Sequence, residues 1–312
     1  MKPASSVLLL TILTGFGYGL LAWLGLFAAF RALPDWAWLV PGCMVVALAL
    51  ASAGLLASTV HLGRPERAWR AFSQWRSSWL SREGVMAVLT YGPALGFTGA
   101  WFALGSGSMV TRLIGLLAAA MALGTVFCTA MIYASLKPIR QWHNRHTAAD
   151  YLIFAFLSGA VLLAAILALL GAPARLAEWL AVGSALVGGF AKFSYWRCID
   201  RQTPLTTLAS ATGIRGLGTV TPLDQPHFTE NYILREMGYQ IARKHAAKLR
   251  RLVLCLGFAA PIVLVGVALA GLVPGFSLIC AVMATGLGLL LERWLFFAEA
   301  THVAALYYGR PG

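Results

Sequence analysis

Charge is scarce in this chain, and acidic charge scarcest: 11 Asp and Glu stand against 24 Lys and Arg in 312 residues. Charged residues make up 11% of the sequence and hydrophobic ones 59%, where a soluble domain is roughly a quarter charged. That deficit excludes an ordinary water-soluble enzyme domain. Cysteine is also sparse. Cys43, Cys128, Cys198, Cys255 and Cys280 form no C-x-x-C pair, and four of them fall within apolar runs. They read as small core residues and not as ligands of an iron–sulfur cluster, whose motifs group several thiolates. No Walker loop, H-E-x-x-H or G-x-S-x-G pattern occurs, which leaves no sign of NTP hydrolysis or of a hydrolase triad.

What the chain does have is long apolar runs. An α-helix rises about 1.5 Å per residue, so about 20 apolar residues cross the hydrocarbon core, with every backbone polar group satisfied internally. Eight runs qualify: Ser5–Phe30, Trp36–Val60, Glu83–Leu104, Val110–Leu136, Ala148–Leu170, Leu176–Tyr195, Leu252–Leu272 and Phe276–Ala300. The first is too long for the apolar core of a signal peptide, about 7–15 residues, and reads as a retained helix. The expected fold is an all-α integral membrane protein, residues 1–312 forming a single transmembrane domain of eight helices.

An even number of spans puts both termini on one face, with the loops after helices two, four and six. Counted by loop, 20 Lys and Arg fall on that face and three, Arg31, Arg112 and Arg175, on the other; Arg293 lies inside the last helix. Cytoplasmic loops retain such an excess, so both termini and the long loop are expected in the cytoplasm. The net charge of +13 then reports topology and anionic lipid contacts, not nucleic acid, for which no motif appears.

Residues 196–248 form much the longest connection. Asp200–Leu223 is rich in Thr, Gly and Pro, as a coil would be, and Thr229–Leu249 has a helical pattern with basic residues off its apolar positions. Such a loop suits either the headgroup surface or the docking of a soluble partner.

Titratable groups gather near the cytoplasmic ends of the helices: His61, Arg82 and Glu83, Asp150 with Tyr151, Glu292 and Arg293, Glu299 and His302. Ionisable groups in membrane spans cost several kcal/mol unless paired or wetted, although those within a turn of the headgroups reach water easily. Glu292 and Arg293 are expected to pair with other helices. His61 and Glu83 bracket one loop, HLGRPERAWRAFSQWRSSWLSRE, with five arginines and three tryptophans. A His and a carboxylate brought together there suit a quinone and its protons, because imidazole titrates near neutrality. Many interfacial loops carry similar residues, so spacing alone leaves this open.

The stretch His61–Gly84 resembles the signature region of the dimethyl sulfoxide reductase anchor subunit (DmsC) family, and chain length and span count extend the resemblance over essentially the whole chain. The resemblance implies a membrane anchor that holds a molybdopterin catalytic subunit and a four-cluster iron–sulfur subunit. It further implies electron exchange with the quinone pool, ubiquinone or menaquinone, in a bacterial cytoplasmic membrane. No haem or iron–sulfur cluster is then expected in this chain, and no catalytic or metal-binding residue. The family's quinol-site histidine maps onto His61 and its glutamate onto Glu83. Arg64 and Arg82 would add positive potential beside them, and Asp150, Tyr151, Glu299 and His302 are further polar groups near that end. The long loop resembles a branch that anchors a sulfite-oxidising molybdoenzyme, so residues 196–248 are expected to dock the iron–sulfur subunit. The alternative is an anchor of the dimethyl sulfoxide reductase type, which oxidises quinol. A haem b anchor would need two mid-span histidines, whereas His61, His146 and His302 lie near helix ends. A transporter would show paired broken helices in matching halves, which do not align here.

Overall fold

The computed structural model describes residues 4–59, 64–203, 206–214, 220–221, 223–224 and 245–308. Among them there is no strand, and eight helices are long and apolar enough to cross a membrane. They are α1 (Ser5–Ala29), α2 (Leu39–Thr59), α3 (Trp79–Leu104), α4 (Met109–Ala134), α5 (Arg145–Leu169), α6 (Arg175–Asp200), α7 (Ala246–Leu269) and α8 (Pro274–Ala298).

Three of these depart from the apolar runs. Helix α3 starts a turn before Glu83 because Ser78 caps it, accepting a bond from the Ser81 N–H. The sixth helix continues past Tyr195 to Asp200, and Lys192, which the charge count places with the loop cations although it falls inside the apolar run, is a buried residue of that span. The seventh begins at Ala246, six residues before the apolar run, and joins the end of the amphipathic Thr229–Leu249 pattern to the membrane helix. A π turn at Cys255–Ala259 interrupts it just ahead of Pro261, where the missing proline N–H already breaks the α-helical ladder. Most of the expected Thr229–Leu249 helix, residues 229–244, lies outside the described residues. Among the described residues, the coil expected before it contains a short helix, Leu208–Thr212, which begins with a Thr207–Ser210 capping box.

The eighth helix returns the chain to the end at which the first begins. Val303 beyond α8 donates its N–H to the Pro138 carbonyl in the loop after α4, 3.3 Å away. Arg250 at the start of α7 bonds Asp200 at the end of α6 and Glu299 just past α8. This end is the basic one.

Helix α1 is the hub, packing on α2, α4, α5 and α8. Lipid offers no hydrophobic drive between helices, so association rests on close fit, which small residues permit. Gly19 of α1 faces the Ala155 carbonyl and Gly159 of α5 so closely that a Cβ on either glycine would overlap backbone. A Cβ on Gly25 would overlap the backbone of Gly115 in α4, and one on Gly288 would overlap that of Gly257 where α7 crosses α8. The cysteines are all free, but only Cys43 and Cys128 are buried core residues; Cys255 is exposed.

Gly19→Leu should therefore separate α1 from α5 and lower the melting temperature of the purified chain in detergent by many degrees. Gly42→Leu, at a position with open space around it, should leave the melt unchanged.

Candidate functional site

From Arg64 onward the loop between α2 and α3 is itself folded. Pro65–Gln74 forms a tight 3-10 helix, with Trp69 and Trp75 more than half exposed, as interfacial tryptophans are. Two side chains of the first turn of α3 tie it down. The Ser81 hydroxyl donates to the Ala71 carbonyl. The Arg82 guanidinium donates to the carbonyls of Trp75 and Arg76, at 2.9 and 2.7 Å, and lies over the Trp79 ring at 4.2 Å. Phe72 rests against Gly84, where a Cβ would meet the ring at 3.0 Å.

Beneath this loop is a cavity of about 450 Å³, within the range of small-molecule sites. Val7 and Leu10 of α1, Ser58 and Thr59 of α2, Leu80 and Glu83 of α3, and Thr129, Ile132 and Tyr133 of α4 form its walls; Arg64, Arg67, Ala68 and Ala71 form its roof. Glu83 is 5% exposed, and its Oε1 accepts a 2.6 Å bond from the Thr129 hydroxyl. That leaves Oε2 for a ligand. Thr125, Thr129 and Tyr133 recur every four residues and so stack on one face of α4. Thr125 also bonds Thr90 of α3 at 3.0 Å, which holds the two helices in register behind Glu83.

Of the residues singled out in the sequence, Arg64 and Glu83 line this cavity, and Arg82 does not, since its guanidinium clamps the loop instead. His61 lies outside the described residues. Thr129, Tyr133 and Arg67 do not stand out in the sequence. The four-residue spacing of Thr125, Thr129 and Tyr133 is the available signal for two of them; for Arg67, one of five arginines in the loop, there is none.

Asp150, Tyr151, Glu299 and His302 do not line the cavity. The Tyr151 ring stacks on Tyr133 with centroids 5.9 Å apart, so it touches the cavity wall from behind. Asp150 belongs to a buried ionic cluster. Lys192 of α6, fully buried, lies 2.5 Å from Glu292 of α8 and 3.8 Å from Asp150 of α5. Arg293 lies 3.2 Å from the other Glu292 oxygen and 3.7 Å from the centre of the Tyr151 ring. Glu292 thus pairs across helices as expected, and Arg293, besides its own neighbour Glu292, reaches Tyr151 of α5. Two cations and two carboxylates balance, and the cluster fastens α5, α6 and α8. Glu299 sits just past α8, bonded at 2.8 Å by Arg250 of α7, which also holds Asp200 at the end of α6. Burial pushes the Glu299 carboxyl up from its ordinary value, and the Arg250 guanidinium opposes that. His302 turns back on its own chain and accepts the Ala304 N–H at 3.1 Å.

Removing one partner from a buried ion pair leaves the other uncompensated, at a cost of about 3–5 kcal/mol. Lys192→Met is expected to destabilise the chain on that scale in denaturant titrations. The double variant Lys192→Met/Glu292→Gln should recover a large part of the loss, because it removes the stranded charge as well.

The chain has well-matched relatives. A sulfite dehydrogenase subunit of Allochromatium vinosum is 39% identical over 99% of both chains. Anaerobic dimethyl sulfoxide reductase chain YnfH of Escherichia coli is 32% identical over 122 residues, 38% of this chain and 41% of its own. The family model described as DMSO reductase anchor subunit (DmsC) matches residues 2–309. Eight apolar helices and a match over nearly the whole length lead to one conclusion: this integral membrane protein belongs to the DMSO reductase anchor subunit family.

Proposed function

We propose that the cavity beneath the arginine-rich loop is a quinone site. There the chain exchanges electrons between a docked four-cluster iron–sulfur subunit and the quinone pool of a bacterial cytoplasmic membrane, with a molybdopterin subunit performing the substrate chemistry. The observation that carries this reading is the Glu83–Thr129 pair in the wall of a 450 Å³ cavity roofed by Arg64 and Arg67. The residues fit the group. The α1–α4 walls offer apolar contact for a ring and tail, and Glu83 offers a buried proton acceptor. Arg64 and Arg67 offer positive potential. His61 falls in sequence between Thr59 and Arg64, both of which line the cavity, and is proposed as the second polar partner.

A quinone supplies reversible two-electron, two-proton chemistry when bound. The chain's own part is to orient the ligand and manage protons. The Thr129 hydroxyl fixes the Glu83 carboxylate through Oε1, and Oε2 exchanges a proton with the bound ligand. His61 is proposed to supply a hydrogen bond to the ligand. Arg82 acts at one remove, holding the loop over the cavity through two backbone carbonyls.

The basic end is assigned to the cytoplasm, because taking Lys192 out of the loop count leaves the Lys and Arg asymmetry intact. Of the long loop over residues 196–248, the part beyond Arg201 is assigned to docking the iron–sulfur subunit at that end. With protons and electrons handled on one face, turnover would not itself build a membrane potential. The relative matched over 99% of its length is named as part of a sulfite dehydrogenase, which supports sulfite oxidation with quinone reduction. The shorter match to a dimethyl sulfoxide reductase chain favours the reverse direction as a second reading.

The test is substrate-dependent quinone turnover by the complex purified through this chain. Sulfite should reduce quinone; activity with sulfoxides alone would select the second reading. Glu83→Gln should slow turnover about a hundredfold or more while molybdenum and iron still co-purify. His61→Ala should do likewise. If either variant lost its soluble subunits yet kept full turnover per assembled complex, that residue would be structural.

A further inference from the structure

A second cavity, of about 360 Å³, lies at the basic end of α5 and α6 and shares no lining residue with the first. Phe190, Phe193, Ser194, Arg197 and Arg201 line it, and their spacing places them on one face of α6. His146, in the first turn of α5, closes its side, with Nε2 3.1 Å from the Ser194 hydroxyl and a buried Nδ1 that has no hydrogen-bond partner among the described residues. Phe190 is 75% exposed, and both arginines are exposed too.

Three features set this cavity apart from a generally basic helix end. First, Arg197 and Arg201 stand one turn apart on the face of α6 that lines a cavity, and neither makes a salt bridge among the described residues. Second, the Arg197 guanidinium is laid over the Phe193 ring at 5.4 Å, which holds it along the wall. Third, Phe190 and Arg201 are separated by about 16 Å along the helix axis at 1.5 Å per residue. The cavity therefore runs from the depth of the hydrocarbon to the level of the headgroups. A soluble protein would reach only its charged end, and a free anion would use only its charged end. An amphiphile with one negative head fits both.

We infer that this cavity binds an anionic phospholipid. The phosphate is held by Arg197, Arg201 and the Ser194 hydroxyl, and an acyl chain lies along Phe190 and Phe193. Guanidinium groups suit phosphate oxygens because their N–H donors form a planar fork. The basic end of the bundle is also where anionic lipid headgroups add most to binding. The bound lipid fills the outer groove between α5 and α6. With about 100° between successive residues, the buried Lys192 falls on the opposite face of α6 and takes no part.

The experiment is native mass spectrometry of the full chain. It is first reconstituted in nanodiscs of phosphatidylcholine containing phosphatidylglycerol, then transferred to mild detergent and progressively delipidated. The wild-type chain should retain one phosphatidylglycerol after phosphatidylcholine has gone, a comparison that needs no variant. Arg197→Gln/Arg201→Gln should hold that lipid about thirtyfold more weakly, about fivefold for each charge removed. Arg112→Gln, at the opposite end of the bundle, should hold it as the wild type does. Equal retention of the two lipids, or a double variant as retentive as the wild type, would overturn the proposal. So would displacement of the lipid by millimolar inorganic phosphate, which would mark a soluble-anion site. Loss of the soluble subunits from the double variant with lipid occupancy unchanged would mark a protein-docking surface and overturn it as well.

Discussion

Everything in this bundle depends on how closely α1 approaches its neighbours. Helices in lipid gain nothing from the hydrophobic effect by touching one another, so contact must come from fit. Gly19 against Gly159, and Gly25 against Gly115, bring α1 to backbone contact with α5 and α4. Gly17 does the same with Ala47 and Ala51 of α2. Those approaches set the spacing of α1, α2 and α4, and the cavity beneath the loop is the space that remains where these helices and α3 diverge at the basic end. Its walls are made of helix ends, and its roof is a loop pinned by Ser81 and Arg82. A side chain that pushed α1 outward would change the packing and the cavity together.

The charges divide into groups by what they do. Asp150, Lys192, Glu292 and Arg293 neutralise one another in the interior and join α5, α6 and α8. Their mutual pairing leaves none of them to act on a ligand in the first cavity, although Arg293 leans on Tyr151 and, through it, on Tyr133. Glu83 differs. It is as buried as members of the cluster, but its partner is a neutral hydroxyl, and no cation forms a salt bridge with it among the described residues. A carboxylate kept in that state, with one oxygen turned to a cavity, is suited to exchanging protons in a way that the closed cluster is not. Arg197 and Arg201 form a third case, unpaired among the described residues and facing outward at headgroup level.

Much of the fold is legible in the sequence because hydropathy in lipid is a strong constraint. All eight spans follow from composition, and the residues between His61 and Gly84 draw attention to Glu83 and the tryptophan loop. The helix ends are less legible. A lysine near the end of an apolar run ordinarily reaches water, so Lys192 looks like a loop cation; only Glu292 and Asp150, distant in sequence, keep it inside. Arg82 looks like a source of potential for the site because it precedes Glu83. Adjacent residues point about 100° apart on a helix, and that turn aims it at the loop carbonyls.

Sequence alone determined that this chain crosses a membrane eight times, which end is basic and which family it joins. Those properties depend on local hydropathy, on charge counted along the chain and on contiguous motifs. Only the tertiary structure decided that Thr129 rather than an arginine bonds Glu83, that Asp150 and Glu292 converge on Lys192, and that Arg197 and Arg201 stand beside exposed phenylalanines. Each of the first two is a meeting of helices far apart in sequence, and the third is a face of α6 that α5 borders on one side and leaves exposed. Glycine contacts bring the helices of the first two together, whereas the order of Phe190, Phe193, Arg197 and Arg201 along α6 is local and only its exposure is tertiary.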